Sequence, residues 1–386
     1  MGCGSGAEPQ QGKKADSGLE PDSGSVSSPF QGPVTWEMGE IAPRDLSDVA
    51  MLHWTGDTLL YNDGALTYSL VNTLFSDYTK KERAIWLPPD TQISWKDDGP
   101  LDFPVGTIIS KTFMMGPDLR RPDEALRPLE TRLLVKLDTG WEAWPYVWTE
   151  DGTRAELDVT GEVMSLSFID PDGVSREAAY LVPQKNQCVE CHEHRSPSGD
   201  RHLTLIGPQS RQLNRTVTTE SGPQNQLTWW SDLGRLDGLP SIESLDAASS
   251  VTPFYSADLT DFSSEETTRA AREYLDINCA HCHSESAVEG QSSHLWLNHD
   301  NEDAFHLGIC KRPGSAGEGT GGLTFDIVPG SPDESILFFR FSTENVGAMM
   351  PQIGRSLAHS SAQPLLRRWI EDMAPAHCST DDASAP

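Results

Sequence analysis

The segments NQCVECHEH and INCAHCHSE hold the chain's densest concentration of reactive side chains. The first contains Cys188, Cys191 and His192; the second contains Cys279, Cys282 and His283, with His281 between its cysteines. Cysteine and histidine at this spacing suit three chemistries: a zinc site, a redox dithiol, or covalent attachment of a haem. A structural zinc site needs two C-x-x-C pairs converging on one ion. Here each pair has its own trailing histidine, and the pairs lie 91 residues apart. A thioredoxin-type dithiol sits at a helix N-terminus after a strand, whereas Cys279 follows a predicted helix. C-x-x-C-H matches haem geometry instead. Two cysteines three apart reach the two vinyl groups on one haem edge, and the histidine that follows falls under the iron. Two c-type haems are therefore expected, on Cys188/Cys191 and Cys279/Cys282, with His192 and His283 as proximal ligands.

The sixth ligand decides what each iron can do. GAMMPQIG places Met349 and Met350 before Pro351, in a loop ahead of the predicted final helix. Met350 is the expected distal ligand of the second haem, with Met349 as the alternative. Ligation by histidine and methionine closes the iron and favours electron transfer over oxygen or peroxide chemistry. No methionine lies between Met164 and Met349, so the first haem has no local thioether. His202, ten residues past His192, is the nearest candidate there. His359, Met164 or an open position are the others, and an open position would permit peroxidase-like chemistry. His194 stands too near His192 to reach the opposite haem face, and His281 is expected at the surface.

The elements that must position these residues fall into three regions. Residues 34–183 read as a β-rich, sandwich-like domain. TIISKTFMM, ETRLLVKL, EAWPYVW, RAELDVTG and EVMSLSFID are short β-branched and aromatic runs separated by DTG, EDG and PDG turns. Residues 184–250 form the first haem-binding segment, poor in periodic pattern, so that a prosthetic group would supply missing apolar mass. Residues 251–378 read as a small all-α cytochrome c domain. A helix capped at Ser263 or Ser264 runs into the second motif, and the amphipathic AQPLLRRWIEDM closes the domain. The expected class is α+β, with a disordered tail at 379–386.

The chain of 386 residues carries 29 basic and 58 acidic side chains, a formal charge of −29. That excess argues against nucleic acid and suits a basic redox protein as partner. No apolar run reaches the ~18–20 residues of a membrane-spanning helix. Residues 1–33 are polar and rich in Gly, Ser and Pro, as in a flexible linker. GCGSG at its start suits a mature lipoprotein, with Cys3 as the acylated residue and the lipid as the sole membrane anchor. Once Cys3 and the motif cysteines are assigned, Cys310 and Cys378 remain, and a disulfide between them is expected. Two separate buried thiols are the alternative.

NQCVECH…IGPQSRQLN, INCAHCH, GICKRPGSAGEGTGGLTFDIVPGSPDESIL and MMPQIGRSLAHS…LLRRWI resemble the SO2930-type family of dihaem c-type cytochromes. NTLFSDYTKKERAIWLPP and LDFPVGTIISKTF in the β-rich part carry the same likeness, which runs from Asp45 to Ile370. The resemblance implies an exported bacterial protein with haem attached at Cys188, Cys191 and His192 and at Cys279, Cys282 and His283. It places the Met-Pro element on Met350. EHRSPSGDRH, which contains His202, departs from the family pattern. The expected function is one-electron transfer in the bacterial cell envelope, in the periplasm or at the cell surface. A dihaem peroxidase-like enzyme with one open iron is the alternative. A third class is a binding module whose β-rich domain recognises a carbohydrate or protein.

Overall fold

Alternation within the β-rich runs dictates a sheet with two distinct faces. In Ile108–Met115, residues 108, 110, 112 and 114 point one way and residues 109, 111, 113 and 115 the other. A computed structural model describes residue 34 and residues 41–379, apart from 98, 196–197, 256–257, 288–293 and 315. It contains a six-stranded antiparallel sheet whose spatial order follows the chain. The strands are β1 (Ala65–Thr67), β2 (Lys80–Trp86), β3 (Ile108–Met115), β4 (Arg127–Leu137), β5 (Gly140–Trp148) and β6 (Ala155–Leu157). A separate two-stranded hairpin, β7 (Glu162–Ile169) and β8 (Ser175–Val182), follows.

Both faces of this sheet are covered. One packs Ile108, Met114, Leu133 and Tyr146 against Met51, Leu52 and Trp54. The other packs Ile85 and Ile109 against Leu205, Leu213, Leu227 and Trp230. Farther along that second face, Phe113 and Leu129 meet Leu166, Phe168 and Tyr180 of the β7–β8 hairpin. Coverage on both sides explains why β3 is buried at every position except Lys111. The fold is mixed α and β, and in place of the expected sandwich there is one six-stranded meander sheet accompanied by several two-stranded pairs. Its second layer comes from the hairpin and from residues 205–236. The segment expected to rely on a cofactor for its core thus shares one with the sheet.

The first motif lies on a short helix, α1 (Cys188–His192), joined to β8 through a 3-10 turn at Lys185–Gln187. The rest of that segment contributes α2 (Gln226–Asp232), whose amides at Leu227 and Thr228 donate to the Asn225 side chain. After Asp237 the described residues form helices and turns and no strand. Helix α3 (Ser264–Leu275) opens with a reciprocal Ser263–Glu266 capping box and runs into a π-turn at Asp276–Ala280. Its Ala270, Ala271 and Tyr274 pack with α4 (Ile336–Ser342) and α5 (Gln363–Glu371) through Phe338, Phe341, Leu365 and Trp369. Cys310 and Cys378 are joined by a disulfide with their Cα atoms 5.0 Å apart. No helix among the described residues is long and apolar enough to cross a membrane.

The connection between β1 and β2 holds the helical region to the sheet. The fully buried Asp77 carboxylate accepts the Ser356 and Leu357 amides at 2.8 Å each. Nearby, the Phe75 amide donates to Asn278 Oδ1 at 2.8 Å, one residue before Cys279.

Candidate functional site

Each C-x-x-C-H segment borders its own cavity. The first cavity, about 1320 Å³ when its opening to solvent is included, lies between α1 and the second face of the sheet. Cys188, Cys191 and His192 form one wall; Ile109, Lys111 and Phe113 of β3 and Arg132 and Leu134 of β4 form another. The His192 ring Nδ1 lies 2.8 Å from the Thr204 carbonyl oxygen. With the proton on Nδ1 as donor, Nε2 keeps its lone pair for a metal. Burial pushes the His192 pKa down to about 4, so the ring is neutral near pH 7.

The second cavity, about 910 Å³ when its opening to solvent is included, lies among α3, α4 and the loops around them. Cys279, His283 and Met350 line it together, with Tyr274, Arg340 and Arg355. The loop bearing Met350 is held by Arg355, whose side chain is only 4 % exposed. Its Nε donates to the Met350 carbonyl at 3.0 Å, and its terminal nitrogens donate to Leu357, Arg340 and Thr343 carbonyls. A positive φ of 87° at Gly354 turns the chain back between Met350 and Arg355, a conformation glycine adopts without a steric penalty. Burial pushes the Cys279 thiol up to about 12.

The two motifs meet. The ligand atoms of Cys191, His281 and Cys282 all lie within 4.8 Å of one another. Cys282 Sγ donates to the Glu190 carbonyl at 3.0 Å, and the Arg195 amide donates to the Ser286 carbonyl at 3.0 Å. The adjacent Cys282, first, and then His281 hold the Cys191 thiol well below its ordinary pKa. Separation by 91 residues therefore does not keep the cysteine pairs apart. Only one cysteine of each pair enters this junction, however, while Cys279 lines the second cavity and Cys188 the first.

Several expected positions are corrected by the tertiary arrangement. His281 is buried at the junction rather than lying on the surface, because the short α1 segment packs across it. His202 is exposed on the strand Arg201–Leu203, paired opposite His194, and does not line the first cavity. His359 belongs to the second cavity, its ring stacked on Phe75 at 4.1 Å and its Nδ1 2.9 Å from the Tyr274 hydroxyl. Met164 is on the β7–β8 hairpin, packed against the Phe113 cluster. Cys3 lies outside the described residues.

Sequence reasoning missed the basic side chains of the first cavity, Arg83, Lys111 and Arg132. Their signal was a charged residue at inward-alternating positions of otherwise apolar strands, as Lys111 is in IISKTFMM.

The residues present fit two covalently attached haems. Each cavity is bordered by cysteine and by the histidine that follows its pair, and the second also holds a thioether. Comparison with protein-family models, with curated proteins and with solved structures gives no match for this chain.

Proposed function

We propose that this chain is a dihaem c-type cytochrome that transfers single electrons in the bacterial cell envelope. The observation that carries the reading is the pairing of two cavities, one beside each C-x-x-C-H segment, with Cys191 and Cys282 in contact between them. Cys188 and Cys191 would hold one group and Cys279 and Cys282 the other, with His192 and His283 as axial ligands. A haem supplies reversible one-electron chemistry when bound. The chain's own residues do the remaining work. Thr204 orients His192, Arg355 fixes the loop that offers Met350, and the Cys191–Cys282 contact sets the two attachment edges side by side.

In this reading the helical region from residue 251 to 378 serves as the cytochrome c unit. Cys3 carries a lipid that tethers the protein in the periplasm or at the cell surface. The acidic surface, from a net charge of −29, favours a basic redox protein as partner.

A second reading is a dihaem peroxidase-like enzyme. It is favoured by the first cavity's lining, which includes neither a methionine nor His202. Protein matured in a host that attaches c-type haem separates these possibilities. Two covalent haems by intact mass, and no change of spectrum with carbon monoxide, are expected for the electron carrier. Carbon monoxide binding to the native reduced protein would establish the open-iron reading. Bound zinc with no covalent mass increase would overturn both and leave Cys191, His281 and Cys282 as an ordinary metal cluster.

A further inference from the structure

The sheet presents a row of cations to the first cavity. Strand register sets Arg83 directly opposite Lys111, and Lys111 directly opposite Arg132. Lys81 lies on the same face, opposite Phe113. Like charges directly across a sheet are destabilising, and burying them removes the water that would screen them. Such a row needs counter-charge.

The protein supplies only part of it. Glu130, fully buried, takes two hydrogen bonds from Arg132 at 2.6 and 2.8 Å and a third from the Tyr180 hydroxyl at 2.6 Å. Asp77 spends its oxygens on the Ser356 and Leu357 amides. The other cations have meagre partners. Lys81 donates to the Thr79 carbonyl at 2.8 Å, and Arg83 reaches the Lys81 carbonyl only at 3.4 Å. The Lys111 ammonium makes no hydrogen bond among the described residues and rests over the Phe113 ring at 4.7 Å. Burial first, then neighbouring cations, holds Lys111 well below its ordinary pKa and Lys81 down at about 7. The second cavity differs, because its Arg355 is already engaged by four carbonyls.

We propose that Arg83, Lys111 and Arg132 form a carboxylate clamp on the sheet, which holds the propionates of the haem attached at Cys188 and Cys191. The inference rests on the dihaem reading for the identity of its ligand. The charge geometry itself asks only for an anion with at least one carboxylate-like group. Two carboxylates entering the row would complete the hydrogen bonding of Lys111 and Arg83 and offset the repulsion between them.

The test is a redox titration of the holoprotein carrying Lys111→Met or Arg83→Gln, with acetate and inorganic phosphate titrations alongside. Removing a cation beside a haem carboxylate disfavours the less positive, reduced state. Each variant should therefore lower the potential of one haem and leave the other unmoved. Wild-type holoprotein should bind neither acetate nor phosphate at this site, because the clamp is filled. If instead the potentials stay in place while acetate or phosphate binds wild type and is lost in Lys111→Met, the clamp serves a free anion and the propionate assignment falls. Unmoved potentials without anion binding overturn the clamp altogether. Should intact mass reveal no covalent haem, the dihaem reading fails separately. Phosphate binding that Lys111→Met abolishes would then still support an anion site on the sheet.

Discussion

The two cavities begin from the same five-residue pattern and end with different walls. The first is closed by a β-sheet whose inward face carries Arg83, Lys111 and Arg132, and its lining has no methionine. The second is closed by helices and a loop that brings Met350 beside Cys279 and His283. Its buried Arg355 is spent on structure, donating to four backbone carbonyls. In the proposed reading the local motif specifies attachment, while the surrounding architecture would specify the other axial face and the charge. In the proposed dihaem protein this difference sets the two potentials apart, since axial identity and nearby charge are the principal levers on them.

Met350→His is the most severe test of the contrast. It should move only the higher-potential wave downward and remove any sulfur-to-iron absorption in the near infrared, as followed by a spectroscopic redox titration. Both waves standing unchanged would show that Met350 is not a ligand, and Met349 would become the residue to replace.

Arg355→Met probes the scaffold of the same loop. It removes the side-chain donor from the carbonyls of Met350, Leu357 and Thr343, and one of two donors from that of Arg340. A loss on the order of 3 kcal/mol is expected, from the penalty for unsatisfied buried polar groups. Denaturant unfolding measures it. The signature of the second cavity should weaken while that of the first persists; equal weakening of both would break the comparison.

The smallest expected effect is the share of the acid-side pH dependence that His359 of the second cavity contributes. His359 is buried among Phe75, Tyr78, Tyr255 and Tyr274, with Lys81 and Arg355 adding positive charge nearby. Burial first, then those cations, lowers its pKa from 6.5 to about 3. The unfolded chain therefore takes up this proton more readily than the folded one. Stability should fall as pH drops from about 6.5 toward about 3, and His359→Gln should flatten that part of the curve. Identical slopes for wild type and variant, by thermal unfolding across this range, would count against a neutral buried His359.

Much of this arrangement was legible in the residues alone. The spacing Cys188, Cys191, His192 and its repeat at Cys279, Cys282, His283 pointed to two separate sites, and each motif does border its own cavity; attachment of haem there is the proposal. Runs of β-branched and aromatic residues between turn signals identified the strands, and a cap at Ser263 or Ser264 followed by acidic residues identified α3, because these signals act over short distances along the chain. Met350 was placed in the second site by its position before a proline and the last helix. What the tertiary structure alone decided involves partners distant in sequence. Alternation says that Lys111 shares a face with Ile109 and Phe113, but strand register sets it between Arg83 and Arg132. Chain separation suggested independent motifs, whereas packing of α1 across residues 281–287 joins Cys191 to Cys282 and buries His281. His202 looked near in sequence, yet its hairpin turns it to solvent opposite His194. Sequence proximity reports reach along the chain; only the packed surfaces determine what stands across a cavity.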